Sequence, residues 1–285
     1  RDPMAHVAAN VSFPADPRAW QSYLAVEADA VASARFCVFT SPGAARLYRE
    51  RYPSLANRMM VVENGYDEES FSALARQSES EEYEAGPERP LLMLHSGIVY
   101  ALERDPTQLF AALARLKASG TLGPTDLRIR FRASVNDALL QNLAQVHGVS
   151  DFIELCQTVT YREALTEMLA ADVLLVMQSK HCNDQIPAKL YEYLRAGRPI
   201  LGLTDPEGDT ASVLRRAGLD RIARLDSVDE IATAIQALIV DWRQRRLAVP
   251  QRKFVQQASR QGRSQELVTL LEQAAQVRRA GVGAS

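Results

Sequence analysis

Cysteine is scarce and scattered in this 285-residue chain. Cys37, Cys156 and Cys182 form no CxxC pair, and an odd, dispersed set excludes both a disulfide framework and a zinc ribbon. Histidine is equally thin: His6, His95, His147 and His181 show no HExxH or related ligand spacing, so no metal is expected. Charge of one sign is lacking too, since 33 Lys and Arg against 35 Asp and Glu leave a net charge of −2, which removes the global signature of a nucleic-acid binder. No apolar run approaches the roughly 18 residues needed to span a bilayer, and Arg1-Asp2-Pro3 is not the start of a signal peptide. A cytoplasmic setting with reduced thiols is the expectation.

What is present is ordinary globular material: hydrophobic residues make up 47% and charged residues 24%, enough to fill a core and too apolar for disorder. The length suits one large domain, or one full domain with part of another. From about residue 90 onward, short apolar runs alternate with helical periods, the pattern of repeated β-α units and a parallel sheet. Strands are expected at 91–95, 127–132, 152–155, 173–177, 199–203 and 221–225, with helices at 106–118, 137–147, 162–170, 187–196 and 210–217. Gly120, Gly148, Gly197 and Gly218 close several of these helices, where a left-handed cap suits glycine. A doubly wound sheet of about six strands results.

Upstream, helices at 18–34 and 43–51 and strands at 36–40 and 59–62 make one or two β-α units, too few for an independent core. The segment 77–89, rich in Glu and Ser with Gly86-Pro87, reads as a solvated linker. Helices at 227–245 and 252–277 follow the last strand. From Trp242 to the end there are nine Lys or Arg and two Glu, whereas 63–89 holds nine acidic and two basic residues. These opposite charges suit attraction across the molecule, or the basic tail suits an anionic lipid surface; two solvated faces are the plain alternative. Residue 1 is arginine and Met4 opens a segment that reads like the interior of a domain, so a missing upstream part is expected.

The richest stretch runs from Asp184 to Leu201. A polar loop after a strand leads into a helix starting near Pro187, whose free N–H groups attract anions. In an open parallel sheet the carboxyl ends of strands border the ligand crevice, which places this loop against a ligand. Lys189 and Glu192, three apart, share a helix face. One suits a phosphate, the other ribose hydroxyls.

Lys189-Leu190-Tyr-Glu192-Tyr-Leu-Arg-Ala-Gly197-Arg-Pro199-Ile resembles the donor-binding segment of glycosyltransferase family 4, whose members have the GT-B fold of two facing Rossmann-like domains. In that family two acidic residues with seven between them bracket the segment, the second on the nucleotide ribose; here Asp184 and Glu192 have that spacing. The first is usually Glu, and the usual Pro-Glu-Gly-Phe-Gly lead-in is replaced by Lys180-His-Cys-Asn-Asp184, which indicates a divergent branch. His95-Ser-Gly97 through Arg104-Asp-Pro is similar to the first strand and glycine loop of the nucleotide-binding domain, where a basic residue meets the diphosphate. Phe39-Thr-Ser-Pro-Gly43 and Val62-Glu-Asn-Gly65-Tyr-Asp67 resemble the end of the N-terminal domain, and 254–271 resembles the helix that crosses back to it.

The resemblance implies an α/β chain: the Rossmann-like doubly wound sheet of a GT-B C-terminal domain plus the end of a second, incomplete Rossmann-like domain. It divides the chain into an acceptor-side part (1–76), a linker (77–89), a donor-binding domain (90–250) and crossing helices (251–285). It implies a retaining glycosyltransferase taking a nucleotide diphosphate sugar as donor substrate, with no cofactor, no nucleic acid and an unidentified acceptor, at the inner face of a membrane or free in the cytoplasm. A chain lacking the upstream part is expected to lack full activity. A GT-B-type sugar-nucleotide epimerase and a non-catalytic nucleotide-binding module are the alternatives.

Arg104, Lys189 and Asp184 form the implied catalytic set. Gly97, Arg132, Leu190, Glu192, Gly208, Asp209 and Thr210 join them as donor-binding residues. Each has a plain structural alternative. Arg104 suits an ion pair with Glu103 or Asp105, Lys189 an ordinary helix start, and Glu192 a surface helix position. Asp184 and Asp209 suit helix N-caps, and Ser134 after Arg132 a turn. His95, before Gly97 at a strand end, suits either the lining of the cleft or, as the plainer reading, a satisfied core histidine, and His181-Cys182 supports no oriented nucleophile.

Overall fold

The computed structural model describes residues 17–75 and 89–282. The expected linker, Arg1-Asp2-Pro3, Met4 and His6 therefore lie outside the described residues, apart from Arg89. Two parallel sheets organise the rest. The smaller pairs β1 (Cys37–Phe39) with β2 (Met59–Val61) and is flanked by α1 (Pro17–Ser33) and α2 (Pro42–Arg51). Its core is small, with Val31, Tyr48 and Met59 buried. Helix α3 (Glu68–Ala75) follows.

The larger sheet holds β3 (Leu91–Ser96), β4 (Leu127–Arg132), β5 (Ile153–Cys156), β6 (Val173–Met177), β7 (Ile200–Leu203) and β8 (Ile222–Ala223). All pairings are parallel, in the spatial order β5-β4-β3-β6-β7-β8. Counted within this sheet the order is 3-2-1-4-5-6, the doubly wound arrangement with its switch point between β3 and β6. Helices α4 (Thr107–Ala118), α5 (Asp137–Val146), α6 (Tyr161–Ala170), α7 (Lys189–Ala196), α8 (Asp209–Arg216) and α9 (Val228–Arg243) make the connections and close the sheet.

Side-chain pattern explains which strands lie where. Every residue of β6 is buried, as a central strand covered on both faces requires. In β4, Leu127, Ile129 and Phe131 are buried while the arginines between them reach outward, the period-two alternation of a strand with one wet face. Apolar side chains form a core on each side of the sheet. One gathers Met93, Phe131 and Leu175 with α4 and α9, the other Leu94, Leu174 and Val176 with α6, α7 and α8. The α6 start is fixed by a capping box in which Thr160 and Glu163 satisfy each other's backbone N–H groups. At the α7 end, Gly197 takes φ +70°, the left-handed cap its position predicts.

Three expectations need correction. Helix α3 has no counterpart in the sequence reading. The last strand spans only Ile222–Ala223. The final helix is broken into α10 (Arg252–Gln257) and α11 (Arg260–Val282). The break is tertiary: Tyr66 N–H donates to the Ala258 carbonyl at 3.3 Å and Arg260 N–H to the Tyr66 carbonyl at 2.8 Å. A Cβ at Gly65 would lie 2.8 Å from the Ala258 oxygen, so this backbone approach requires glycine. Arg263 of α11 pairs with Glu63 at 3.0 Å, one instance of the expected attraction between the basic and acidic segments. No helix among the described residues is long and apolar enough to cross a membrane.

Candidate functional site at the carboxyl edge of the larger sheet

The strand order puts a crevice outside the carboxyl ends of β3 and β6. β3 ends in His95-Ser96 and turns through Gly97, whose φ of +138° is a conformation that side chains rarely tolerate. The loop from Gly97 then runs beside the end of β4: Gly97 N–H donates to the Arg132 carbonyl at 2.9 Å and Val99 N–H to that of Ser134 at 3.0 Å. Its far end is tied to β6 by Ser179 N–H on the Glu103 carbonyl at 2.7 Å. Within it, the Arg104 guanidinium donates to the Ile98 carbonyl at 2.7 Å and lies 5.3 Å from the Tyr100 ring centre. The loop is thereby pre-shaped, with Arg104 folded back over it.

Helix α7 meets this loop from the other side. Leu190, Tyr191, Tyr193 and Leu194 are buried and seat the helix on the sheet, and the Tyr193 hydroxyl accepts the Ser96 N–H at 2.8 Å. Lys189 opens the helix, with Nζ 3.4 Å from where a Cβ on Gly97 would stand. A cavity of about 340 Å³ lies between these elements, lined by His95, Gly97, Arg104, Met177, Lys189 and Tyr193 among others. Burial holds the Lys189 ammonium below the ordinary lysine value, with nearby Arg104 adding to that depression and Glu192 opposing it. Two cations therefore share one cavity without a carboxylate on its wall.

Glu192 lies one turn further along α7, half-buried, and accepts a hydrogen bond from the Tyr161 hydroxyl at 2.9 Å. Burial and this carboxylate push the Tyr161 phenol up to about 12. Tyr161 starts α6 and is 49% exposed, so the pair faces solvent.

Except for Leu190, which also lines the cavity, the other candidate residues lie elsewhere. Arg132 lines no part of the cavity: its guanidinium grips Glu167 of α6, with Nε to Oε2 at 2.7 Å, and donates to the Gln157 carbonyl. Leu190 contributes packing, being 1% exposed. Asp184, Gly208, Asp209 and Thr210 gather against α2. Asp184 pairs with Arg46 at 2.8 Å and its carbonyl accepts from Ser41 Oγ at 2.5 Å. Asp209 accepts the Gly43 N–H at 2.6 Å, Thr210 donates to the Gln185 carbonyl at 3.2 Å, and Gly208 packs against Asn183.

Neither capping alternative is seen. The N-cap of α7 is Ala188 and that of α8 is Gly208, both without a side-chain bond. Nor does Arg104 form an ion pair with Glu103 or Asp105 among the described residues. Ser134 keeps its turn role, hydrogen-bonded to Asp137.

Sequence reasoning missed three features. Tyr161 has no motif, only its place at the start of a helix. The loop after β4 holds Ala133 at φ +54° and Val135 at φ +65°, strained for a β-branched residue and of the kind that gathers at functional sites. The third is the unpartnered Nε2 of His95: the residue lines the cavity, as its strand-end place allows, and is not the satisfied core histidine of the plainer reading. Among the described residues no group of His, Cys, Asp and Glu is placed to hold a metal ion.

No protein-family model matches the chain, and no curated protein matches it. Solved structures do. Sucrose-phosphate synthase from Thermosynechococcus elongatus is 17% identical with a TM-score of 0.58, covering 95% of this chain and 65% of its own. α,α-Trehalose 6-phosphate synthase from Burkholderia multivorans is 11% identical with a TM-score of 0.65, covering 96% of this chain and 66% of its own. HepE of Anabaena, solved in complex with UDP and glucose, is 15% identical with a TM-score of 0.56, covering 93% and 69%. The fold is GT-B. The chain spans 65% and 66% of the length of the first two of these proteins, and so represents part of a GT-B architecture.

Proposed function

We propose that the chain binds the diphosphate of a nucleotide sugar in the cavity at the β3–β6 switch point and belongs to a retaining glycosyltransferase. The observation that carries this reading is the convergence of Arg104 and Lys189 on Gly97, where the backbone is bare enough for close approach. Half-buried, partly desolvated cations attract an anion more strongly than fully solvated ones, and the α7 N-terminus adds its own positive end. Glu192 supplies acceptors for ribose hydroxyls, taking the place on the ribose that the family resemblance implies, and Tyr161 holds its carboxylate in place until the ribose arrives.

In such a transfer the bond between the anomeric carbon and the diphosphate oxygen breaks with its electron pair going to the diphosphate. Arg104 and Lys189 stabilise that growing charge more than they stabilise the ground state, which is the differential binding that lowers a barrier. The acceptor hydroxyl attacks on the leaving-group face, passes its proton to the departing diphosphate oxygen and takes the sugar with retention. Asp184 is assigned to the sugar end of the donor, toward α2.

A thermal-shift titration with UDP, GDP, ADP and CMP, run beside Glu192→Ala, tests the reading. A ligand at a hundred times its Kd stabilises the folded chain by about 2.7 kcal/mol. The expected result is a shift by one diphosphate that the variant largely loses. A flat response to all four, repeated on a chain carrying the remaining GT-B domain, would refute the donor site.

A further inference from the structure

The cavity holds one polar group that neither cation accounts for. His95, the fifth residue of β3, is 5% exposed. Its Nδ1 lies 3.0 Å from the Leu175 carbonyl of β6. A carbonyl only accepts, so Nδ1 carries the proton and Nε2 is left as a lone pair. That Nε2 is buried without a hydrogen-bond partner, an unfavourable state for a polar group removed from water.

The surroundings define what would satisfy it. Burial chiefly, then Arg104 from the glycine loop and Lys189 from α7, disfavour positive charge on the ring. Together they hold the imidazole down at about 4 against the backbone groups of Leu175 and Ile98, which favour its charged form. From β4 only the Phe131 ring faces it, at 5.9 Å between centroids. Tyr193 is occupied by the Ser96 N–H, and Glu192 acts on Lys189. No carboxylate bonds to the imidazole. The missing partner must therefore bring a donor hydrogen, and two neighbouring cations require the same partner to be anionic.

We propose that a diphosphate seated between Arg104 and Lys189 shares a proton with His95 Nε2, making His95 a third ligand-binding group of this site. The inference rests on the donor-site reading above. The shared proton arrives with a partly protonated diphosphate or from water, lies between Nε2 and a non-bridging oxygen, and no covalent bond is made or broken. The anion reverses the local field, so a proton that the empty cavity rejects becomes stable once the anion is in place.

Inorganic pyrophosphate is the probe, since it carries no base or sugar. The chain labelled with ¹⁵N in histidine is titrated with it at neutral pH, and the His95 signals are assigned by their loss in His95→Asn, whose amide can still donate to Leu175. Saturation is expected to move the Nε2 resonance from the lone-pair position toward the protonated one, and the variant should bind pyrophosphate about tenfold more weakly. Should the variant fold poorly, the wild-type resonance decides alone. Saturable binding that leaves Nε2 a free lone pair overturns the inference while the donor site stands. An absence of pyrophosphate binding overturns both.

Discussion

Glu63 offers a direct energetic test of how the two sheets are held together. Two residues beyond β2, its side chain is only 6% exposed and collects three donors: the Tyr191 hydroxyl at 3.0 Å, Arg216 Nη2 at 2.6 Å and Arg263 Nη2 at 3.0 Å. These come from α7, α8 and α11, so one carboxylate pins three helices to the end of the smaller sheet. Glu63→Ala leaves the buried Tyr191 hydroxyl without this acceptor and takes one of two carboxylates from Arg263, 16% exposed, which keeps Glu266 at 2.8 Å, whereas Arg216 at 46% exposed returns to water. Removing one partner of a buried pair costs about 3–5 kcal/mol, while an exposed ion pair contributes at most about 1 kcal/mol. The larger part of the expected loss, about 3 kcal/mol, therefore belongs to Arg263 and Tyr191. Urea unfolding followed by circular dichroism reads it as a lower midpoint at unchanged slope. Arg263→Met in the Glu63→Ala background should cost less than Arg263→Met alone, because its bond to Glu63 is already gone and only the Glu266 pair is lost. A single-variant loss below about 1 kcal/mol, or strict additivity in the double variant, would show that the network is incidental.

Two further outcomes follow from the cavity. Gly97→Ala places a Cβ 3.4 Å from Lys189 Nζ at φ +138°; a loss of about 1–2 kcal/mol in stability is expected from the backbone alone, with weaker diphosphate binding in the same titration series, and an unchanged midpoint would contradict the assigned loop geometry. His95 carries a pH signature. Its value is held down to about 4 from an ordinary 6.5, so the unfolded chain gains a proton on acidification that the folded chain refuses. The stability it confers is complete above pH 6.5 and is lost as pH falls toward 4, amounting to about 2 kcal/mol between pH 7 and pH 5. Urea midpoints across that window should fall for the wild type and fall less for His95→Asn; equal slopes would place the acid sensitivity on other groups.

Strands β4 and β6 have the same bounds in sequence and structure because their patterns are unambiguous, a strict alternation in one and an unbroken apolar run in the other. Helix α3 escaped notice because only Phe71 and Leu74 of its eight residues are buried apolar side chains, too few to set a period. The break between α10 and α11 is invisible to local pattern: the sequence there is helical in character, and Tyr66, nearly two hundred positions away, takes the backbone groups that a continuous helix would use. The site divides along the same line. Gly97, Arg104 and Lys189 come together in one cavity because a strand end, a glycine turn and a helix start bring their own geometry with them. Arg132 stands apart from that cavity because Glu167, 35 residues on, holds its guanidinium. The free nitrogen of His95 depends on which atom the Leu175 carbonyl selects, and only the assembled sheet decides that.

The remaining acidic candidates show what the arrangement demands of a donor. A Cβ at Gly43 would fall 2.4 Å from the Asp184 carboxylate, so α2 and the loop before α7 touch with no room for a sugar ring between them. Asp209, pushed up by burial, is satisfied there by the Gly43 N–H, and Ser41 and Arg46 occupy Asp184. The groups proposed to hold the diphosphate line a cavity without a residue of the smaller sheet, while those proposed for the sugar are bonded to α2 beside it. A donor can therefore seat its diphosphate without disturbing the contact, but its sugar can reach Asp184 and Asp209 only if α2 moves away and those bonds are exchanged for sugar hydroxyls. Binding of the anion and opening of the contact are separable steps, and any gain in affinity of a nucleotide sugar over its bare diphosphate must first exceed the free energy of the Ser41, Gly43 and Arg46 interactions that it displaces.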